Sequence, residues 1–479
     1  MSRPRSFYWH DYETWGAQPA VDRPAQFAGL RTDLDFNPVG EPLVVYARPA
    51  DDFLPQPEAC LITGITPQLA REKGALEADF FALIHEQLAR PGTCALGYNS
   101  LRFDDEVSRY GLYRNFFDPY AREWQNGNSR WDMIDVVRLT RALRPEGIEW
   151  PEKEPGVSSF RLEDLTAANG IEHTGAHDAL ADVRATISIA RLVRERQPKL
   201  FEFVFNNRDK QRLAAQLNVR AAGPVLHVSA RYPARLGCIA AVVPLAMHPT
   251  NRNGVIVCDL RADPSALLQL SADEIRTRLY TATAELPEGA ERIPLKVVHL
   301  NRAPVIVPMG TITDAAREQW QMDAVAEARH LEALRNASGL GEKLAKVFDS
   351  RDQFPPQSDP DRDLYGSFLS DADRRRCEQV RAARPEDLAA LRPGFDAPKL
   401  HEMLFRYRAR NWPETLGRQE RLRWEDFRRA RLTEPGGGGS IVLDDYRRQL
   451  SRLAIDSGLT TAQRAVLDAL LDWPAELGL

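Results

Sequence analysis

Apolar and polar positions divide the chain into a mixed α/β part, a β-rich part and a helical part. In the first part, the apolar runs at 41–49 and 93–100 have the length and composition of strands, and Pro and Gly bound them. The segments 79–90 and 178–197 have helical spacing instead. Pro198 follows the second of these helices directly, so the first domain is predicted to end there.

The second part consists of short β-like runs separated by Pro, Gly and Asn. These runs lie at 224–230, 240–246, 254–260, 294–300 and 303–308. They predict a small antiparallel barrel or sandwich with one or two added helices. Residues 313–337 then have the spacing of a single helix.

The third part follows a polar, Pro-rich segment with the composition of a linker. It is helical in pattern, with a Gly-rich loop at 434–440. A chain of 479 residues is too long for one compact domain. We therefore predict domains at 1–198, 199–353 and 364–479, with the linker at 354–363.

Composition limits the class of protein. A hydrophobic content of 43% and a charged content of 27% are ordinary for a soluble globular protein. No apolar run reaches the roughly 18 residues that a membrane-spanning helix needs. The N-terminus lacks the apolar region of a secretion signal, and the five cysteines include no close pair, which fits a reducing compartment. We expect a cytoplasmic protein.

The formal charge is uneven along the chain. A net charge of −5 argues against a nucleic-acid binder when taken alone. Between His401 and Arg431, however, nine arginines stand against five acidic residues and no lysine. A local basic surface of this kind is compatible with a polyanionic ligand, although solvated helix faces explain it equally simply.

The stretch FYWHDYETWG places two carboxylates, Asp11 and Glu13, in what reads as a core strand. Alternate residues of a strand share a face, so these two side chains project together and Tyr12 points the opposite way. Burying two like charges is costly, and a divalent cation removes that cost. An edge strand with its acids in water is the simpler explanation of this motif alone.

Further acids and a histidine strengthen the metal interpretation. Asp104 and Asp105 follow an aromatic residue after a strand-like run, and His177 comes five residues before Asp182. Two residues five positions apart in a helix point about 140° away from each other, so they cannot share a face. The side chains of His177 and Asp182 therefore converge only if His177 lies in the loop before the helix. A neutral histidine beside carboxylates can accept a proton from water.

The order of three motifs resembles the DnaQ-like exonucleases of the DEDD group. D-x-E begins at Asp11, N-x-x-x-F-D ends at Asp104, and H-x-A-x-x-D runs from His177 to Asp182, as in the histidine subtype. The stretches GYNSLRFDDEV, NSRWDMIDVVR, HPTNRN, SFLSDADR and LFRYRARNWPETL extend the likeness along the whole chain to the bacterial exodeoxyribonuclease I family. The resemblance implies an α/β multidomain fold, with an RNase H-like (DnaQ-like) exonuclease domain, an SH3-like β-barrel middle domain and an α-helical C-terminal domain.

That resemblance also implies an activity and its residues. The family degrades single-stranded DNA from the 3′ end to nucleoside 5′-monophosphates. The implied cofactor is Mg²⁺ as two ions, with Mn²⁺ as a substitute. The implied metal ligands are Asp11, Glu13, Asp104 and Asp182, and His177 is the implied general base. Asp104 is preferred to Asp105 because the motif requires the residue directly after Phe103.

Single-stranded DNA needs a basic track and aromatic platforms. Arg161, in the stretch SSFRLEDL, matches the arginine with which the family contacts its substrate. Glu13 is a second candidate for substrate binding. Further candidate contacts are Tyr12, Arg109, Tyr120, Trp124, Arg138, Lys210, Asn253, Tyr280, Asn301, Tyr365 and Ser367. For the aromatic members, packing in the core is an equally good explanation. The Gly-rich insertion at 436–439 and the absence of an aromatic residue at Ile239 or Met247 depart from the family pattern.

The resemblance implies partners and alternatives as well. We expect a monomer that acts processively on single-stranded DNA in repair and recombination. We also expect it to bind the acidic tail of single-stranded DNA-binding protein, with Arg144 as a candidate anchor. An RNA 3′-exonuclease of the same superfamily and a catalytically silent single-strand clamp are the alternatives.

Overall fold

The structure is a computed structural model that describes residues 4–175, 178–349 and 357–479. These residues form two compact units. The first unit contains residues 4–130, 173–175, 178–184 and 357–479, and the second contains 131–172 and 185–349. This division separates the helical C-terminal region from the β-rich region that precedes it in sequence and groups it with the N-terminal region.

The strands are numbered along the chain. They are β1 (Ser6–Thr14), β2 (Pro24–Thr32), β3 (Leu43–Tyr46), β4 (Thr93–Gly97), β5 (Ser129–Asp132), β6 (Glu152–Glu154), β7 (Val157–Ser158), β8 (Val225–Val228), β9 (Ile239–Met247), β10 (Gly254–Asp259), β11 (Leu295–His299) and β12 (Ile306–Pro308).

The α-helices are numbered in the same way. They are α1 (Pro57–Thr63), α2 (Pro67–Lys73), α3 (Glu77–Leu88), α4 (Asp104–Arg114), α5 (Met133–Leu143), α6 (Leu162–Ala168), α7 (Ala179–Arg196), α8 (Pro198–Asn207), α9 (Lys210–Gln216), α10 (Ser265–Gln269), α11 (Ala272–Tyr280), α12 (Asp314–Gln319), α13 (Ala324–Asn336), α14 (Leu340–Val347), α15 (Asp371–Ala382), α16 (Lys399–Asn411), α17 (Arg418–Thr433), α18 (Leu443–Ala454) and α19 (Thr461–Glu476).

The N-terminal sheet has the strand order β3-β2-β1-β4-β5. Strand β1 pairs antiparallel with β2 and parallel with β4, so it lies inside the sheet. Helix α4 packs on α3 at Gly111, where a Cβ atom would lie 1.8 Å from the ring of Phe81. A glycine at this position therefore allows α4 to approach closely enough for its first residue to reach β1.

The helical C-terminal region shares a hydrophobic core with the N-terminal region inside the first unit. Trp15 and Phe53 pack in one cluster with Tyr446, Leu470 and Trp473. Charged side chains also join the two regions, because Arg410 of α16 bonds the buried carboxylate of Asp52. The C-terminal helices are thus part of the same folded body as the first sheet.

The second unit contains the β-rich region. Its antiparallel sheet has the order β11-β10-β9-β8-β12, which agrees with the five runs predicted from the sequence. The single helix predicted over 313–337 is wrong, because α12 and α13 are separate helices. Trp320 is buried and donates to the carbonyl of Ala142, Gln321 has a φ of 53°, and Asp323 caps α13.

The predicted linker 354–363 is only partly described by the structure. Its later half is not a free connector, because the Asp359 and Asp361 carboxylates pair with Arg406, and Asp361 also pairs with Arg410. Asp361 is 3% exposed. Polar composition therefore indicated a linker where the charges are in fact neutralised inside the fold. Among the described residues, no helix combines the length and the apolarity needed to cross a membrane.

Candidate active site

Strand β1 presents two carboxylates on one face. Asp11 is half-buried and Glu13 is 8% exposed, while the Tyr12 ring packs in the hydrophobic cluster on the opposite side. Glu13 lies opposite Gln26 of β2, and Gln26 accepts a hydrogen bond of 3.3 Å from the backbone of Ala179. The start of α7 is thereby attached to the strand pair that carries the carboxylates.

Asp104 brings a third carboxylate to the same strand. It is the first residue of α4, is 4% exposed, and accepts a hydrogen bond of 3.1 Å from the backbone N–H of Tyr12. An anionic side chain is favourable at a helix N-terminus. This hydrogen bond to Oδ1 of Asp104 holds the N-terminal end of α4 against β1. Its donor, Tyr12, is the residue between Asp11 and Glu13.

The neighbouring carboxylate of Asp105 has a different environment. Arg122 and Arg130 bond its two oxygens at 2.7 Å and 2.6 Å. Burial disfavours its ionised form, but the two guanidinium groups outweigh burial and hold the pKa of Asp105 well below its usual range. This structural ion pairing supports the choice of Asp104 as the ligand.

Asp182 completes the cluster from the first turn of α7. One oxygen each from Asp11, Glu13 and Asp182 lie within 4.8 Å of one another. His173 lies 2.6 Å from Asp182, measured from Nε2 to Oδ1. The exposed Asp178 caps α7 by accepting from the backbone of Ala181.

Burial and mutual repulsion raise the pKa values of the clustered carboxyl groups. Burial raises the pKa of Asp11 well above its usual range, and the charges of Asp104, Glu13 and Asp182 raise it further. Burial followed by the charges of Asp182 and Asp104 raises the pKa of Glu13 to about 9. All the candidate metal-ligand atoms of the cluster are carboxylate oxygens, and Mg²⁺ and Mn²⁺ prefer oxygen ligands. The residues therefore fit a divalent cation, whose charge would offset this mutual repulsion.

Glu13→Gln should raise the thermal midpoint of the metal-free protein, because the amide removes a carboxylate that the fold keeps protonated. Below pH 9 the folded Glu13 holds a proton that the unfolded chain releases above about pH 4.3, so wild-type stability falls as the pH rises through that window. We expect a gain of about 1–2 kcal/mol near pH 8 and less near pH 5. Thermal unfolding in EDTA at both pH values measures it.

The exposed Glu86 provides a matched control for that change. Glu86→Gln should alter the free energy of unfolding by less than about 0.5 kcal/mol. A Glu13→Gln variant that is less stable than wild type at pH 8 would contradict the electrostatic strain assigned to the cluster.

Two histidines precede Asp182 in the sequence, and the structure describes one of them. His177, the predicted general base, lies outside the described residues. Sequence reasoning did not single out His173, which contacts Asp182 directly. The one feature of the sequence that could have indicated His173 is its position four residues before His177 in GIEHTGAHDALAD.

Several predicted DNA contacts lie in the first unit. Tyr12 is a wrong choice for a stacking platform, because its side chain is buried, its ring packs on Phe27, and its hydroxyl bonds Ser108 at 2.9 Å. Arg109 is also buried, and its guanidinium pairs with Glu106 and Glu123. A buried, paired guanidinium is not available as a free phosphate ligand.

The remaining aromatic candidates in the first unit have exposed surfaces. Trp124 is 61% exposed and Tyr365 is 56% exposed, while Tyr120 is half-buried with its ring beneath Arg109. Ser367 is exposed as well. Phe368, which the sequence analysis omitted, is 81% exposed, and its ring lies 6.0 Å from that of Tyr120.

The other candidates lie in the second unit. The Arg138 guanidinium is paired with Asp135 at 2.6 Å and is mostly buried, which argues against a free phosphate contact. Arg161 is largely exposed and pairs with Glu163. Lys210, Tyr280 and Asn301 are exposed, and Asn253 and Arg144 are half-buried.

Comparison with known families covers almost the whole chain. Residues 8–190 match the profile of the family described as Exonuclease. Residues 208–350 match the Exonuclease I SH3-like domain, and residues 358–477 match the Exonuclease I C-terminal domain. Exodeoxyribonuclease I of Escherichia coli (strain K12) is 47% identical over 472 residues, which covers 98% of each chain.

Solved structures agree with these matches. Exonuclease I from Methylocaldum szegediense has a TM-score of 0.95 and 54% identity, with 98% of this chain and 99% of that chain covered. E. coli Exonuclease I in complex with a dA16 oligonucleotide has a TM-score of 0.95 and 47% identity over the same shares.

Two further structures bear on ligands. A zinc-bound E. coli Exonuclease I complex with single-stranded DNA has 46% identity and a TM-score of 0.94 over 99% of this chain and 100% of that one. An SSB/Exonuclease I structure with an inhibitor has 45% identity and a TM-score of 0.91 over the same shares.

Proposed function

This chain belongs to the exodeoxyribonuclease I family, and from that premise we propose that it hydrolyses single-stranded DNA from the 3′ end to nucleoside 5′-monophosphates. The observation that carries the proposal is the carboxylate cluster of Asp11, Glu13 and Asp182 within the exonuclease region. Asp104 belongs to the proposed ligand set because its carboxylate is held at the same strand.

The proposed cofactor is Mg²⁺, with Mn²⁺ as a substitute. The zinc in an E. coli relative supports a divalent cation in this family. Bound divalent ions activate water as a nucleophile and stabilise the departing 3′-oxygen. In this chain, Asp11, Glu13, Asp104 and Asp182 would hold the ions through oxygen atoms alone.

The residues around the cluster have separate proposed roles. His177 accepts the proton of the attacking water, which requires its neutral form near pH 7 and above. Arg161 is proposed to hold the substrate backbone, since its guanidinium is largely exposed and a fork of N–H donors suits a phosphate. The domain bounds of 1–198, 199–353 and 364–479 remain part of this proposal.

Digestion of 5′-labelled single-stranded DNA tests the proposal directly. We expect progressive shortening with Mg²⁺ or Mn²⁺ and none in EDTA, with an RNA oligonucleotide of the same sequence cut much more slowly. Faster digestion of the RNA would favour an RNA 3′-exonuclease. Tight DNA binding without metal-dependent nucleotide release would favour a silent clamp.

The exposed Trp124 is the strongest candidate for a base-stacking platform. Trp124→Ala should raise KM for single-stranded DNA about tenfold with little change in kcat, because stacking of one base contributes about 1–3 kcal/mol. Trp124→Phe keeps an aromatic face and should remain close to wild type. Steady-state kinetics on a single-stranded oligonucleotide measures both, and an unchanged KM in the alanine variant would remove Trp124 from the DNA track.

The proposal extends to partners and context. The SSB/Exonuclease I relative supports binding of single-stranded DNA-binding protein. The finer proposals are that Arg144 anchors the terminal carboxylate of that tail, that the enzyme is a monomer, and that it acts processively in the cytoplasm during repair and recombination.

A further inference from the structure

We propose that His173 is a positioning residue that holds the Asp182 carboxylate in its metal-binding orientation. The proposal rests on the proposed function through one point only, the role of Asp182 as a ligand. Its evidence is a short side-chain hydrogen bond inside the carboxylate cluster, from a residue to which no role has been assigned above.

Binding of a cation would fix the direction of the hydrogen bond. His173 Nε2 and Asp182 Oδ1 are 2.6 Å apart, and the side chains are 6% and 21% exposed. A carboxylate that binds a cation is ionised and can only accept, so in the metal-binding state Nε2 is the ring nitrogen that carries the proton and donates it. Because the imidazole is almost fully buried, water competes little for this hydrogen bond.

The Asp182 carboxylate needs such a donor. One of its oxygens lies within 4.8 Å of an oxygen of Asp11 and of Glu13. Its charge adds to burial in raising the pKa values of both neighbours. A side chain on the first turn of a helix can turn about χ1 into another rotamer and carry its oxygens away from the cluster. A hydrogen bond from His173 to Oδ1 opposes that rotation and keeps the carboxylate within the cluster.

The backbone places His173 where it can make this contact. Gly175 has a φ of 89°, a left-handed conformation that favours glycine, and its carbonyl accepts from the backbone of Asp178 at 2.9 Å. This bond joins the segment that carries His173 to the residue that precedes α7. His173 therefore approaches Asp182 from outside the helix, although nine residues separate them in sequence.

Asp104 is held in a comparable way. Its Oδ1 accepts a hydrogen bond of 3.1 Å from the backbone of Tyr12. Hydrogen bonds to ligating carboxylates orient them, and loss of such a partner typically weakens metal binding about 10–100-fold. For Asp182, the imidazole of His173 is such a partner.

The test compares His173→Leu with His173→Gln in the full-length protein. Leucine occupies the space without a donor, whereas the glutamine amide retains an N–H group. Mn²⁺ binding to the metal-depleted protein without DNA is followed by electron paramagnetic resonance, and thermal midpoints are measured in EDTA. We expect His173→Leu to weaken Mn²⁺ binding about 10–100-fold and His173→Gln to stay within about threefold of wild type.

Additional variants separate this role from a general effect of losing a histidine. His85→Ala removes a ring that packs on Phe117 and should leave Mn²⁺ binding unchanged. In an Asp182→Asn background, His173→Leu should cause no further loss, since the two residues act through one bond. Should His173→Leu fail to fold, His173→Met replaces it with another side chain that lacks an N–H donor.

Two results would overturn the proposal. One is wild-type Mn²⁺ affinity in His173→Leu, and the other is an equal loss in the leucine and glutamine variants, which would indicate packing rather than a donated proton. Failure of the proposed function is distinguishable from both, because the wild-type protein itself would then bind no Mn²⁺ at the carboxylates.

Discussion

Asp104→Asn is expected to lower single-stranded DNA hydrolysis about a thousandfold or more, whereas Asp105→Asn leaves kcat within about fivefold of wild type. The two residues are adjacent, both are buried, and both begin α4. Asp104 is held in the carboxylate cluster as a proposed metal ligand, and an amide there lacks the negative charge that binds a cation.

Asp105→Asn should instead destabilise the fold. Arg122 and Arg130 would lose one of the two carboxylates that pair with them in a buried site and would keep only Glu123 of that pair. We expect a cost of about 3 kcal/mol in the free energy of unfolding. Asp104→Asn should have a thermal midpoint in EDTA at least as high as that of wild type, because it removes a charge that the neighbouring carboxylates repel.

Single-turnover cleavage, DNA binding in EDTA and thermal unfolding measure this pair together. Asp104→Asn should still bind single-stranded DNA. Cleavage by Asp104→Asn at a tenth of the wild-type rate or better would contradict its assignment as a ligand. A thousandfold loss in folded Asp105→Asn would mean that the two adjacent roles have been exchanged.

Asp52→Asn is expected to destabilise the first unit by about 3–5 kcal/mol. The carboxylate of Asp52 is fully buried, lies 2.8 Å from Arg23 and 2.8 Å from Arg410, and thereby joins the N-terminal and C-terminal regions. Burial disfavours its ionised form, but Arg23 and Arg410 outweigh burial and hold the pKa of Asp52 well below its usual range. An amide would remove the carboxylate that pairs with the buried Arg23 and would leave the buried Arg410 with Asp361 as its remaining carboxylate partner among the ion pairs described above.

Asp51 is the matched control for this change. Its side chain is 47% exposed and accepts from Trp424 Nε1 at 3.2 Å, so Asp51→Asn should cost about 1 kcal/mol or less. Denaturant unfolding at pH 7 compares the two variants. Equal stabilities would show that the buried ion pairs do not hold the C-terminal helices to the first sheet.

The pH dependence of the Asp52 effect has a definite sign. A carboxyl group with a lowered folded pKa stabilises the protein above its unfolded pKa of about 3.9, and this contribution is lost as the pH falls toward the folded value. The difference between wild type and Asp52→Asn should therefore be full at pH 7 and shrink below about pH 4.

Local patterns predicted the elements that depend on neighbouring residues. The alternation around Asp11 and Glu13 identified β1 and the face that carries the carboxylates, and the five β-like runs correspond to β8 through β12. The family resemblance is confirmed by whole-chain identity and by the three family profiles. These features are encoded within short windows or in ordered motifs.

Features that depend on contacts between residues distant in the sequence could not be predicted from local patterns. Helical spacing ran through residues 313–337, but burial of Trp320 and its bond to Ala142 end α12 early. Tyr12 and Arg109 have the composition of DNA contacts, yet the fold buries both. The bond from His173 to Asp182 and the ion pairs of Asp361 likewise depend on residues that only the folded chain brings together.

The proposed function requires that the four carboxylates bind divalent cations. Crystals of the wild-type protein can be soaked with Mn²⁺, with data collected at a wavelength where manganese scatters anomalously. We expect anomalous density in coordination contact with oxygens of Asp11, Glu13 and Asp182, and its loss in Asp182→Asn crystals. Manganese bound elsewhere, with those carboxylates unligated at a saturating concentration, would contradict it.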